Sequence, residues 1–231
     1  MTLNELAYEL RMLLRNNKLS DDDALSNRLL ERWIVSQRAL WAKQQLAKRT
    51  YNPSKLVQDL GCVKIGLVDA ADCCGFDVDC SAIRTTVEIP RSITTLTGDG
   101  ITRVGPINKL LDEYQYVPYE RALVVGAGYF NKNAIVSFRL DDYVYIISKS
   151  DEDYFKYLEY INIRGIFEDP RTASDFTYCS GDSCFSEDSD YPLGEDLWVY
   201  MKSEIVKGNF GIMSSVLSDK ANDATAKEID K

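Results

Sequence analysis

The sequence predicts an α+β fold, in which an N-terminal helical hairpin and a C-terminal helix pack beside a central, mainly antiparallel β-rich region. Three observations predict it. Apolar residues recur at helical spacing over the first fifty residues, change to a period of two from Tyr51 to about Phe167, and return to helical spacing from Gly194. No segment between the strands is long enough to serve as a crossover helix, so neighbouring strands should run antiparallel. A length of 231 residues, with 45% apolar and 27% charged, supplies a core without metal or disulfide staples.

The first helix opens at Thr2, which has capping-box spacing to Glu5, and Leu3, Leu6, Ala7, Leu10, Leu13 and Leu14 form one apolar face. Asn16 and Asn17 end it. Ser20 with Asp23 repeats the capping signal, and the acidic run Asp21–Asp23 suits a helix N-terminus, so a longer helix is expected to reach about Lys48. Leu25, Leu29, Leu30, Trp33, Ile34, Leu40 and Trp41 spread over nearly half of that cylinder. Arg28, Arg32 and Arg38 are expected on the other side. One neighbouring helix cannot cover so wide an apolar face; the remainder must meet the rest of the chain or another subunit.

The β-rich region spans residues 51–167. Val63–Val68, Ile83–Ile89 and Ile161–Phe167 alternate or nearly alternate and are rich in β-branched residues. Ile135–Leu140 and Tyr143–Ile147 flank Asp141 and Asp142 as a hairpin. Pro90, Gly98-Asp99-Gly100, Gly105-Pro106 and Gly126-Ala127-Gly128 read as intervening turns. Residues 168–193 form an exposed acidic loop, residues 194–217 a helix with Leu197, Trp198, Met201, Ile205 and Val206 on one side, and residues 218–231 a tail with too few apolar groups to dock alone. These segments, with the hairpin of residues 1–50, are expected to make one folded unit.

Composition removes several function classes. There is no histidine, which excludes Ser-His and Cys-His nucleophile pairs, histidine-liganded zinc and the usual proton shuttle near neutral pH. The net charge of −9 opposes long-range capture of phosphate backbones. The charge is unevenly placed: residues 1–55 hold ten basic and six acidic groups, residues 141–231 nine and twenty. Glu168–Asp196 holds nine acids against Arg171 alone. Such poles suit a protein that stacks against itself or a neighbour, and equally suit two solvated faces. Charges interrupt Met1–Arg15 where a secretory segment would be uninterrupted, and no apolar run reaches membrane-spanning length, so an aqueous, cytoplasmic setting is expected, with no membrane partner.

In that setting Cys62, Cys73, Cys74, Cys80, Cys179 and Cys184 are expected as free thiols rather than a disulfide framework. They are also the candidates for a tetrahedral zinc, but adjacent cysteines point apart and no C-x-x-C knuckle occurs, so neither metal nor cofactor is expected. Val124-Val125-Gly126-Ala127-Gly128 has the glycines of a dinucleotide loop without its context, because Asn131 stands where a third glycine belongs and strands follow in place of a helix. The many acids give no particular catalytic pair. The large aromatic rings fit protein contacts, and the interface candidates are Arg28, Arg32, Arg38, Trp33, Trp41, Trp198 and Phe210.

The phrases Met1-Thr2-Leu3-Asn4-Glu5-Leu6-Ala7-Tyr8-Glu9-Leu10, Gln58-Asp59-Leu60-Gly61-Cys62, Asp69-Ala70-Ala71-Asp72-Cys73-Cys74, Ile101-Thr102-Arg103-Val104-Gly105-Pro106, Tyr160–Pro170 and Asn222-Asp223-Ala224 resemble, in order and over nearly the whole chain, a family of virion structural proteins from crAss-like bacteriophages. The resemblance implies a non-enzymatic ring, or adaptor, in the head-to-tail connector of a short-tailed phage. Proteins similar in outline form rings, commonly of twelve copies, under the portal protein, with terminal helices beside a β-rich region. The implied partners are further copies of this chain, the portal and neighbouring tail proteins, with DNA passing through unbound. The implied location is the virion, assembled in the host cytoplasm. The alternative is a cysteine-based zinc-binding interaction module with no assembly role.

Overall fold

A computed structural model describes residues 1–14, 25–48, 53–69, 81–95, 98–108, 111, 113–122, 124, 134–148 and 158–210. The tail from Ser218, the second capping signal at Ser20 and the Gly126–Gly128 turn lie outside them. The chain divides into two compact units, one of Met1–Trp41 with Glu187–Lys231 and one of Ala42–Ser186.

The first unit joins the two ends of the chain. Helix α1, Leu3–Leu14, begins with the expected capping box: the Thr2 amide donates to Glu5 Oε2 at 2.8 Å, and the Glu5 amide to Thr2 Oγ1 at 3.2 Å. Its buried residues are Leu3, Leu6, Ala7 and Leu10, the first part of the expected face, whereas Leu13 is exposed and Leu14 half-buried at the helix end. Helix α2, Asn27–Lys48, ends where expected but starts later, because Ser26 caps it by accepting from the Leu29 amide at 3.2 Å. Leu25 therefore lies outside the helix, though it is buried.

Glu187–Gly194 leads into the C-terminal helix. The Tyr191 amide donates to the Met1 carbonyl at 2.9 Å, and the Met1 amine meets Asp190 Oδ1 at 2.7 Å. That ion pair raises the amine's pKa and lowers that of Asp190. The C-terminal helix, Glu195–Ile205, is buried at Leu197, Trp198, Met201 and Ile205. A π-helical stretch, Val206–Phe210, follows.

The second unit is a curled, mixed sheet. Its strands are β1 Gln58–Asp59, β2 Val63–Asp69, β3 Ser81–Thr85, β6 Ile101–Pro106, β7 Gln115–Tyr116, β8 Ile135–Leu140, β9 Tyr143–Ser148 and β10 Tyr160–Gly165, with β4 Thr94–Thr95 and β5 Gly98–Asp99 as a separate pair. The order is β1-β10-β2-β3-β9-β8-β7, and β6 also pairs with β10. All pairings are antiparallel except β7 with β8. The expected hairpin is present as β8 and β9, turning at Asp141 with φ 55°. Strand β3 stops at Thr85 rather than Ile89, and Gly105-Pro106, expected as a turn, ends β6 instead.

The central strands are buried on both faces, with Asn162 of β10 3% exposed and Ser137 of β8 0% exposed. In β10 Ile161 and Ile163 are fully buried, and Phe138 of β8 stacks on Tyr145 of β9 with ring centroids 5.4 Å apart. Arg139 secures the hairpin: its guanidinium donates to Ser92 Oγ at 2.8 Å, to Asp142 Oδ1 at 3.0 Å and to the Asp141 carbonyl at 3.0 Å. Asp99 accepts the Tyr116 hydroxyl at 2.8 Å and also the Ser92 hydroxyl, and burial raises the Tyr116 pKa. A set of donors and acceptors satisfied in this way is scaffolding.

Candidate assembly surfaces and the cysteine cluster

Helix α2 carries most of the residues proposed for subunit contact. Arg28 and Arg32 are exposed, and Trp33 and Trp41 are half-buried. Leu40 is 50% exposed, so part of the wide apolar face is uncovered in the single chain.

Arg38 departs from the expected basic face. It is 0% exposed, its Nε donates to the Pro192 carbonyl at 3.0 Å, and its guanidinium lies 5.8 Å from the centre of the Tyr191 ring. The reason is its spacing. Leu30, Ile34 and Arg38 succeed one another by four residues, which puts all three on one helix face, and Leu30 and Ile34 are fully buried.

Trp198 is likewise interior, 3% exposed, and donates its indole N–H to Glu9 Oε2 at 2.6 Å. Glu9 Oε1 accepts from Lys202 Nζ at 2.5 Å. The Lys202 hydrogen bond, and then the Trp198 one, hold the Glu9 carboxyl below its ordinary pKa. These contacts join α1 to the C-terminal helix, and none of them was visible as a motif. Phe210 closes the π-helical stretch, and its side chain lies outside the described residues. On the outer side of the C-terminal helix, Val199 is 65% and Tyr200 55% exposed.

Most acids of residues 168–196 are exposed. Glu168, Asp175 and Asp182 are exposed in the second unit, as are Glu187, Asp188, Asp190, Glu195 and Asp196 in the first. Asp169 is half-buried because it caps the short 3-10 helix Pro170–Asp175, accepting from the Arg171 amide at 3.0 Å. An open cleft of about 440 Å³ lies between Val87–Arg91 and the Thr172–Phe176 stretch.

The cysteine expectation needs correction. Cys62 and Cys179 are joined as a disulfide, with Cα atoms 5.3 Å apart across a sequence separation of 117. The fold brings them together through its backbone: the Cys62 amide donates to the Thr177 carbonyl at 3.0 Å. Gly61 allows the approach, since its φ is +66° and a Cβ there would come within 2.5 Å of the Thr177 oxygen. Cys184 is a free thiol whose pKa is pushed up to about 11, first by burial and then by Asp59. Cys73, Cys74 and Cys80 lie outside the described residues. Among the described residues no group of three or more cysteine or acidic side chains could hold a metal ion.

Comparison with known proteins gives the family. The family model described as phage tail ring protein 2 matches residues 5–230. The chain belongs to this family of phage ring proteins. It is also 28% identical over 239 residues to "Ring protein 2" of Bacteroides phage crAss001, covering 99% of this chain and 97% of that protein. Membership of a crAss-like phage ring family makes it a virion structural protein, as the sequence resemblance implied, and gives the zinc-module alternative no support. No helix among the described residues is long and apolar enough to cross a membrane.

Proposed function

We propose that this chain is a non-enzymatic ring component of the head-to-tail connector of a short-tailed phage, lying beneath the portal, with DNA passing through the ring. The observation that carries the proposal is the ring-family match over residues 5–230. A ring needs a heterologous contact, in which one patch meets a different patch on the next copy. Exposed Arg28 and Arg32 supply one patch, and the exposed acids of residues 168–196 supply groups of opposite sign for the other. The half-buried Trp33 and Trp41 and the exposed Leu40 would add apolar area beside the arginines.

Twelve copies, the portal protein as upper neighbour and assembly in the host cytoplasm belong to the same proposal, as does ordering of the 218–231 tail on a partner. Acidic surface facing the passage would let a polyanion slide without sticking. Charge reversal of Arg28 and Arg32 together tests the contact. Ring assembly should weaken and lose its dependence on salt. Assembly unchanged in both yield and salt dependence would reject this pair of patches.

A further inference from the structure

We propose that Cys62 and Cys179 are a reversible thiol–disulfide pair, with Cys179 the entry thiol and Cys62 the resolving thiol, which fastens the Thr177–Ser183 hairpin to the turn between β1 and β2. The inference rests on how the two cysteines are presented and does not depend on the place of the ring in the virion.

The site is organised before any sulfur–sulfur bond forms. On one side, the Gly61 amide donates to Asp59 Oδ1 at 2.9 Å, and Asn162 Nδ2 donates to Asp59 Oδ1 at 2.5 Å and to the Gly61 carbonyl at 3.0 Å. These bonds fix the turn that carries Cys62. On the other side, Thr177 and Ser183 form an antiparallel bridge, the Tyr178 amide donates to the Asp182 carbonyl at 2.8 Å, and the Cys184 amide to the Phe176 carbonyl at 2.8 Å. The Cys62 amide bond to Thr177 then docks the hairpin on the turn. A Cα separation of 5.3 Å falls within the range that a disulfide bridges without backbone movement.

Accessibility sets the order of events. Cys179 is exposed and Cys62 is half-buried. A low-molecular-weight disulfide, R–S–S–R, is attacked by the Cys179 thiolate, which forms a mixed disulfide and releases one R–S⁻. The Cys62 thiolate then attacks the Cys179 sulfur, forms the intramolecular bond and releases the second R–S⁻. Two protein thiols lose two electrons and two protons, and the small disulfide leaves as two R–SH. Cys184 stays out, because a half-buried thiol with its pKa pushed up to about 11 holds very little thiolate near neutral pH. A dithiol such as dithiothreitol reverses the sequence.

The test uses the full chain, reduced and then incubated with oxidised glutathione at pH 7.5, with free thiols trapped by alkylation under denaturing conditions. Expected is one internal bond, read as two fewer alkyl groups per chain than the fully reduced protein takes up. Peptide mapping should place it between Cys62 and Cys179, with Cys184 alkylated. C62S should stop with one glutathione on Cys179, whereas C184S should behave as the parent. Far-UV circular dichroism of the reduced protein should match that of the oxidised protein, since the docking bonds are backbone bonds. Predominant linkage through Cys184 or another cysteine, or failure of C62S to accumulate the Cys179 adduct, would overturn the assignment.

Discussion

Replacing Arg38 by alanine separates a buried structural arginine from a surface one. The guanidinium is fully buried and bonded to the Pro192 carbonyl, so truncation leaves that oxygen short of a donor and opens space along the lost stem. A hydrogen bond from a charged group contributes about 1.5–3 kcal/mol, and each buried methylene ~0.8 kcal/mol. Relief from burying a charge offsets part of this, leaving a net loss of about 3 kcal/mol. Arg32→Ala, on the exposed face, should stay within about 0.5 kcal/mol. Trp33, Trp41 and Trp198 all fall in the first unit, so tryptophan fluorescence during urea unfolding reports on the unit that holds Arg38. With a slope of about 1–3 kcal/mol per molar urea, the Arg38→Ala midpoint should fall by ~1–3 M. A midpoint no lower than that of Arg32→Ala would refute the burial argument.

Two further outcomes follow from the contacts. The folded-state pKa of Glu9 is lowered, so its bonds to Lys202 and Trp198 add stability that is full above its ordinary value of 4.5 and is lost as pH falls through the lowered one. Glu9 is 40% exposed, which limits the effect to less than about 1 kcal/mol. Accordingly, fluorescence-monitored unfolding of Glu9→Gln should show a deficit at pH 7 that closes in acid. Gly61→Ala forces a Cβ against the Thr177 oxygen in left-handed backbone and should cost about 2–4 kcal/mol by thermal melting, with faster alkylation of Cys179 in the reduced protein. A melt within error of the parent would contradict the close approach.

The features legible in the sequence were those set by local spacing. The Thr2–Glu5 cap, the apolar face of α1, the end of α2 and the β8–β9 hairpin each depend on residues within a turn or two of one another. Arg38 was legible too, because it follows Ile34 by four residues; sorting it by charge rather than by position places it on the wrong face. The two-residue strands β1, β4, β5 and β7 carry no alternation to read, and β6 was obscured by the Gly105-Pro106 pair at its end. The disulfide depends on a contact between residues 117 apart, and the Glu9–Trp198 bond on one between residues 189 apart. No local pattern encodes contacts at those separations.

The exposed groups proposed for the interface have a similar explanation. Sequence identifies Arg28, Arg32 and the acids of residues 168–196 as a charge asymmetry, and the structure gives their exposure. The pairing proposed for them lies between copies and so outside any single chain.

The most direct test of the ring assignment is the native mass of the full chain, alone and mixed with the phage portal protein, over a range of protein and salt concentrations. The account predicts a closed species of one fixed copy number, formed alone or on the portal and weakened by salt. A monomer that persists at every concentration and ignores the portal would contradict it.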